Sequence, residues 1–265
     1  MRLRHRVSRH ALVRSLTLCC AGAMAPAALA QRGSPNAPAG SPYNIPYDGR
    51  FTFARLTYTT GPGGYYYRNL PAWAHGYATA EFNLMRILRE VSSVRPHLEA
   101  TNTIGILDPK LFNYPVAYMT EPGYWVESDA EVVALRKYLL KGGFLILDDT
   151  RDDRGNPAWA NIENNFRRIF PDLHFIDLTP DHPIFHAFFE INSFSIVHQY
   201  YDYGPPVFRA LFENNDPRQR MLVMLNYNTD VSNYWEFSPQ GFVPIEDSNQ
   251  AYKLGVNYLL YALER

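Results

Sequence analysis

The chain has 265 residues, of which 25 are Lys or Arg and 26 are Asp or Glu, so its formal net charge is −1. This balance excludes the strongly basic surface that nucleic-acid binding requires, and no run of basic residues indicates an anionic membrane surface. The length fits one domain of ordinary size with a substantial buried core.

The first 30 residues have the pattern of a secretory signal peptide. Five arginines precede an apolar stretch that ends in Ala28-Leu29-Ala30, the small-x-small pattern after which signal peptidase cleaves. The stretch is shorter than the roughly 20 apolar residues of a membrane-spanning helix. We therefore expect cleavage after Ala30 and a periplasmic or secreted protein that does not span the membrane. An uncleaved N-terminal anchor is the alternative.

Cleavage at this position would remove both cysteines of the chain. Cys19 and Cys20 lie within the signal, and Leu18 before Cys19 does not fit a lipoprotein site. A mature chain without cysteine has no disulfide, no thiolate metal site and no cysteine nucleophile. Removing the five arginines also leaves 20 basic residues against 26 acidic ones, a formal charge of −6.

Composition then divides the mature chain into two parts. Residues 31–50 are rich in Pro, Gly, Ser and Asn and are predicted to form a flexible linker, so a single domain is expected over 51–265. The domain should begin with a strand near Phe51, which the glycine-rich segment 59–64 ends. A helix follows, since apolar residues repeat at helical spacing from Leu84 to Val91.

The clearest unit lies at 128–150. Ser128 and Glu131 have the capping-box spacing that begins a helix, and Gly142-Gly143 can end it. The next four residues, 144–147, are apolar at every position rather than alternating. Such a strand is covered on both faces, which indicates a parallel sheet between two layers of helices.

The remaining elements alternate in the same way. Further strands are predicted near 104–107, 116–119, 173–177, 208–212 and 222–227, and further helices at 160–170 and 248–263. This alternation predicts a doubly wound α/β domain with a mostly parallel sheet and helices on both faces.

Ligands of such sheets bind at the carboxyl ends of the strands. Asp148 and Asp149 end the buried strand, and with His182 they are the predicted catalytic residues. Two adjacent carboxylates can raise each other's pKa or share a divalent cation, together with His182 or Asp230. The competing interpretation is structural: one aspartate caps the following turn and the other faces solvent or pairs with Arg151 or Arg154.

Other polar loops at the same edge supply the predicted ligand-binding residues. They are Thr60, Gly63, Arg151, Asn228 and Asp230. The glycine-rich loop lacks the Lys-Ser/Thr ending of a phosphate loop, and the sequence contains no G-x-S-x-G, H-E-x-x-H or G-x-G-x-x-G motif. The sequence predicts no cofactor, and its acidic residues are compatible with a divalent metal ion.

Aromatic residues make up 15% of the chain. Tyr and Trp rings can stack on sugars, although they more often fill cores and interfaces. The candidates for a glycan platform are 65–67, Trp73, Trp125, 200–203 and Trp235.

Several segments together resemble the bacterial domain-of-unknown-function family number 4159 over nearly all of residues 51–265. The resemblance rests on 51–58, Leu111-Phe112-Asn113-Tyr114-Pro115 with Tyr118-Met119, 135–139, Gly142-Gly143-Phe144-Leu145, Asp148-Asp149, His182-Pro183 with Phe185, and Leu254-Gly255-Val256-Asn257 with Tyr261. It implies a flavodoxin-like fold related to class I glutamine amidotransferases, and it implies no established reaction. The amidotransferase cysteine is absent where Leu147 runs into Asp148, so a mature chain without cysteine cannot use that glutaminase mechanism.

Three hypotheses of function follow from the sequence. The preferred one is a non-catalytic periplasmic binding or assembly module whose partner is an envelope protein or glycan. The alternative is a hydrolase that acts on a glycan or other envelope substrate through an Asp/His site, with or without a metal. The third is a carbohydrate-binding domain without turnover.

Overall fold

A computed structural model describes residues 41–66, 69–152, 155–194 and 204–264. The predicted signal peptide and the first ten residues of the predicted linker lie outside this part of the chain, as do the aromatic residues at 200–203. Within the described residues, no helix combines the length and the apolar character needed to cross a membrane.

Seven strands and five α-helices are present in the described part of the domain. The strands are β1 (Phe53–Thr57), β2 (Thr101–Gly105), β3 (Val116–Thr120), β4 (Phe144–Thr150), β5 (Ile176–Asp177), β6 (Val207–Phe212) and β7 (Met221–Tyr227). The helices are α1 (Thr79–Val91), α2 (Asp129–Leu140), α3 (Ala158–Ile169), α4 (Val231–Phe237) and α5 (Ile245–Leu263).

The strands form one sheet in the order β2-β1-β3-β4-β7-β6-β5. The first five strands in this order are parallel, whereas β6 runs antiparallel to β7 and β5 runs antiparallel to β6 at the edge of the sheet. The parallel part has the strand order of flavodoxin-like folds, in which ligands bind where the winding direction changes beside the first strand. The predicted doubly wound, mostly parallel α/β fold is confirmed.

The sheet is covered on both faces because its central strand is apolar on both. Leu145 and Leu147 of β4 join the core beneath α2 and α3, whereas Phe144 and Ile146 join the core beneath α1, α4 and α5. All seven residues of β4 are buried. The sequence prediction for 144–147 is therefore confirmed, and the carboxyl end of β4 lies in the middle of the sheet.

Two features differ from the sequence expectations. Helix α4 was not predicted, because seven residues are too few to show a helical repeat. Residues 41–50, expected within the linker, contact the domain: the Tyr77 hydroxyl donates to Ser41 at 2.7 Å, and the Ile45 amide donates to Asn102 at 2.9 Å. Side-chain hydrogen bonds of this kind are not visible in composition.

The predicted capping box at the start of α2 is present. The Ser128 hydroxyl accepts from the Glu131 amide at 3.3 Å, and the Glu131 carboxylate accepts from the Ser128 amide at 2.8 Å. We expect Ser128→Ala to lower the free energy of unfolding by about 1 kcal/mol, because it leaves helix amides unsatisfied. Urea unfolding measures this loss. Ser93→Ala, at an exposed position, is the control, and equal losses in the two variants would contradict the expectation.

Candidate functional site

Polar side chains from four segments meet at the carboxyl edge of the sheet. Glu121 directly follows β3, Asp149 lies near the end of β4, and Asp230 follows β7. His75 comes from the long connection between β1 and α1. All four are buried, with 3%, 4%, 6% and 8% exposure for Glu121, Asp149, Asp230 and His75. Parallel strands bring these segments together because their carboxyl ends share one edge.

The side chain of Asp148 contacts neighbouring elements of the fold and is not among the residues that line the cleft described below. Its carboxylate accepts hydrogen bonds from the Tyr118 hydroxyl at 2.5 Å and from the Asn226 amide group at 2.8 Å. It also accepts from the backbone amides of Val231 at 3.2 Å and Ser232 at 2.9 Å, in the first turn of α4. Burial raises the pKa of Asp148, against the lowering effect of these donors. The structural interpretation of one aspartate, a cap on a neighbouring segment, fits this geometry.

The side chain of Asp149 points away from α4 and toward His75. The register between β4 and β7 shifts between Leu147 and Thr150, and Asp149 has a positive φ of 53°. Left-handed backbone in a non-glycine residue is strained and is concentrated at functional sites. The Asp149 carboxylate accepts from Arg151 at 2.6 Å and lies 3.4 Å from Nδ1 of His75. Burial opposes its ionisation, but Arg151 and His75 hold the pKa of Asp149 below its usual range.

His75 is enclosed by acidic and aromatic side chains. Its Nδ1 lies 3.0 Å from Oε1 of Glu121, and its ring stacks on Tyr66 with 5.3 Å between centroids. Burial would lower the pKa of His75, but hydrogen bonds with Asp149 and Glu121 raise it well above the ordinary value. Nε2 of His75 is buried and has no hydrogen-bond partner among the described residues.

Glu121 links the histidine to the second carboxylate. It also has a left-handed backbone, with φ of 49°, and its Oε2 accepts from the Tyr66 hydroxyl. Both carboxyl groups approach Nδ1 of His75, Glu121 at 3.0 Å and Asp149 at 3.4 Å. Burial, followed by the charge of Asp149, raises the pKa of Glu121 to about 7. The two carboxyl groups therefore differ in protonation, a feature typical of acid–base sites.

Asp230 completes the cluster from the start of α4. Its carboxylate accepts from the Asn233 amide and the Ser232 hydroxyl, both at 2.9 Å, so it is the N-cap of this helix. Burial and then the charges of Asp149 and Asp148 raise its pKa well above the ordinary value. Single ligand atoms of His75, Asp149 and Asp230 lie within 4.8 Å of one another, so these three residues could hold a metal ion.

A narrow cleft with a volume of about 10 Å³, room for about one water molecule, reaches this cluster. It is lined by Glu121, Gly123, Tyr124, Asp149, Arg151, Asn156 and Ala158. The volume is below the roughly 300–1,000 Å³ of pockets that enclose drug-sized ligands. The cleft therefore suits a small polar group rather than a whole sugar chain.

A buried ion pair in the sheet interior holds the backbone of the segment that carries His75. Arg55 and Glu81 lie 2.5 Å apart and are 0% and 1% exposed at their side chains. The Arg55 guanidinium donates to the carbonyl oxygens of Trp73, at 3.1 Å, and of His75. Charge in the sheet interior thus fixes the segment that carries the histidine.

The model of a domain of unknown function, DUF4159, matches residues 52–263. The chain belongs to the DUF4159 family. A search of the curated proteins finds no match. The family assignment made from the sequence is therefore confirmed, whereas the relation to glutamine amidotransferases stays a prediction.

The predicted site residues of this DUF4159 protein divide into two groups. Arg151 and Asp230 lie with Asp149 at the cluster, as expected for neighbouring loops. His182 lies instead in the turn before 183–185, where its Nδ1 accepts from the Ile184 amide at 3.2 Å and its ring packs against Phe212. His182 thus has the contacts of a packed, capping histidine.

The remaining predicted ligand residues have mainly backbone roles. Thr60 pairs with Trp125 in an isolated bridge, and Gly63 has a positive φ of 86° in the adjoining turn. Asn228 has φ of 55° after β7, and its side chain donates to the Pro205 carbonyl at 3.3 Å. These residues shape loops at the sheet edge.

His75, Glu121 and Tyr66 were missed from the sequence. Glu121 is the residue after β3, so the rule about carboxyl ends of strands could have found it. His75 and Tyr66 lie in an irregular connection without periodicity, and no sequence signal places them beside Asp149. The three tryptophans proposed for a glycan platform, Trp73, Trp125 and Trp235, are buried at 7%, 0% and 2% exposure and cannot stack on a sugar from solvent.

The contrast between the paired aspartates gives a stability prediction. We expect Asp148→Asn to lower the free energy of unfolding by about 3 kcal/mol, because one side of the new amide presents hydrogens to buried donors. The exposed Asp172→Asn variant should change it little. Urea unfolding of the three proteins measures the difference, and an equal effect of both substitutions would show that the Asp148 contacts do not stabilise the fold.

Proposed function

We propose that the protein is a hydrolase that cleaves a small ester group on an envelope substrate, with Glu121, His75 and Asp149 as its catalytic groups. The observation that carries the proposal is their convergence: both carboxylates meet Nδ1 of one histidine, at 3.0 and 3.4 Å, beside a cleft. The export on which an envelope substrate depends is part of the proposal and follows from the signal pattern.

The arrangement supports attack by water. A carboxylate within hydrogen-bond reach of a water molecule can accept its proton while the oxygen bonds to the ester carbon or phosphorus. Glu121 is placed to act as this base and to return the proton to the leaving oxygen as the ester bond breaks, and His75 holds the Glu121 carboxylate in position at 3.0 Å. Arg151, whose side chain is 16% exposed, adds positive charge at the cleft where negative charge develops on the reacting group.

The strained backbone supports the same proposal. Asp149 and Glu121 both have positive φ, at 53° and 49°, on adjacent strand ends. Such conformations cost on the order of 1–3 kcal/mol each and persist where the surroundings impose them. Two of them in contact within one buried polar cluster are easier to explain by a functional site than by folding alone.

Cleavage of a glycosidic bond by two carboxylates does not fit this geometry. Glycosidases separate their two carboxyl groups by about 5 Å or more, to admit the sugar or a water between them. Glu121 and Asp149 instead converge on one ring nitrogen of His75, at 3.0 and 3.4 Å, and that ring takes the place where a sugar would have to lie. The small cleft volume also favours an acyl or phosphoryl ester over a sugar ring.

The second candidate is the non-catalytic binding or assembly module preferred from the sequence. The near-complete burial of His75, Glu121 and Asp149 favours it, since a reactive group must be reached by its substrate. In that case the cluster would hold the loops of a binding surface in place. The two candidates differ in whether the cleft supports turnover.

Hydrolysis of chromogenic esters tests the proposal. We expect the purified protein to hydrolyse p-nitrophenyl acetate or bis-p-nitrophenyl phosphate, and Glu121→Gln to lower kcat/KM at least about 100-fold, because a positioned base typically contributes that much. Glu99→Gln, at an exposed position, should keep the wild-type rate. Thermal unfolding confirms that the variants are folded.

Two results would contradict a hydrolase. One is no turnover of either ester above the rate in buffer. The other is turnover that Glu121→Gln leaves unchanged, which would place the activity elsewhere. Either result would favour the binding module.

A further inference from the structure

We propose that the cluster is a divalent-cation site in which His75, Asp149 and Asp230 are the ligands. The inference rests on the proposed function for the importance of this site, but the binding of an ion can be measured without any substrate. The proposal names a divalent metal cation as the ligand that this cluster binds.

The geometry brings the three ligands together from separate parts of the chain. One atom of each side chain lies within 4.8 Å of the other two. Ions such as Zn²⁺ hold nitrogen and oxygen ligands at about 2.0–2.2 Å, so ligands around one ion lie roughly 3–4 Å apart. Small rotations of the side chains would close the remaining gap.

Each ligand comes from a supported segment. His75 follows the turn whose carbonyl groups bind Arg55, Asp149 lies in the central strand β4, and Asp230 caps α4. Ligands on rigid elements need little ordering when an ion binds, which favours affinity.

The histidine supplies the independent observation. Its Nε2 is buried, at 8% exposure for the residue, and finds no hydrogen-bond partner in the described part of the chain. Buried polar atoms without partners are rare and costly. Nδ1 of the same ring lies 3.0 Å from Glu121 and 3.4 Å from Asp149, and a carboxylate that orients the far nitrogen is the usual support for a metal-binding histidine. Glu121 would keep this role, and the Asp149 side chain would turn from Nδ1 toward the ion. A bound ion would give the ring nitrogen the partner that the protein does not provide.

The charges at the cluster favour a cation. Glu121, Asp149 and Asp230 bring three carboxyl groups together, and Arg151 and His75 are the cationic side chains that act on them among the described residues. An ion that replaces the proton of His75 would add positive charge where the carboxylates are densest. Buried carboxylates without sufficient cations are costly, so an ion would relieve this imbalance.

The ligand set selects the kind of ion. One imidazole nitrogen with two carboxylates suits Zn²⁺ or Mn²⁺, whereas Ca²⁺ takes six to eight oxygens and Mg²⁺ keeps several waters. Three protein ligands leave a position open for water, as in catalytic sites. Glu121 lies beside the ligands and is placed to accept a proton from such a water.

Isothermal titration calorimetry with Zn²⁺ and with Mn²⁺ tests the proposal on the purified protein after treatment with a chelator. We expect one ion per chain, with an affinity for at least one of the two that falls 10-fold or more in Asp230→Asn. Asparagine is as good an N-cap as aspartate, so this variant should keep α4 and remain folded. Asp108→Asn, at another N-cap, is the matched control and should bind as the wild type does.

Two outcomes would overturn the cation site: no stoichiometric binding of either ion, or equal affinity in Asp230→Asn and the wild type. These outcomes are separable from the fate of the hydrolase. Ester hydrolysis by the chelator-treated protein that is lost in Glu121→Gln would support the hydrolase without the ion. One bound ion per chain without any hydrolysis would support the ion alone.

Discussion

The buried carboxylate of Asp148 is the interaction on which the rest of the site depends. It joins four elements: its own strand β4, Tyr118 of β3, Asn226 of β7 and the first amides of α4. Because it neutralises the positive end of that short helix, α4 can begin inside the protein instead of at the surface. The start of α4 in turn carries Asp230. One buried carboxylate therefore ties three strands together and places one residue of the candidate site.

Asp149, the next residue of β4, contacts a different set of groups. A register shift in β4 and a left-handed backbone turn Asp149 away from α4 and toward His75. Two consecutive carboxylates thus face two environments, one filled with hydrogen-bond donors and one with other carboxyl groups. Their pKa values move in opposite directions, because burial outweighs the donors and raises the pKa of Asp148, whereas Arg151 and His75 outweigh burial and lower the pKa of Asp149.

Much of the fold was predictable because it depends on local patterns. The capping box at Ser128, the apolar strand at 144–147 and the repeat from Leu84 to Val91 are each short-range signals of one element, and each is confirmed. Helix α4 was not, because its stability comes from Asp148, a residue 83 positions before Val231. A helix held by a distant side chain leaves no periodicity to detect.

The candidate site was predictable only in part, for the same physical reason. The sequence by itself determined that polar residues follow buried parallel strands, and this placed Asp149, Arg151 and Asp230 at one edge of the sheet. The tertiary structure decided that Asp148 supports the fold, that His182 packs in a turn, and that His75 and Glu121 meet Asp149. Whether a segment forms a strand depends mainly on neighbouring residues. Which group a buried carboxylate contacts depends on the packing of segments that are far apart in the chain.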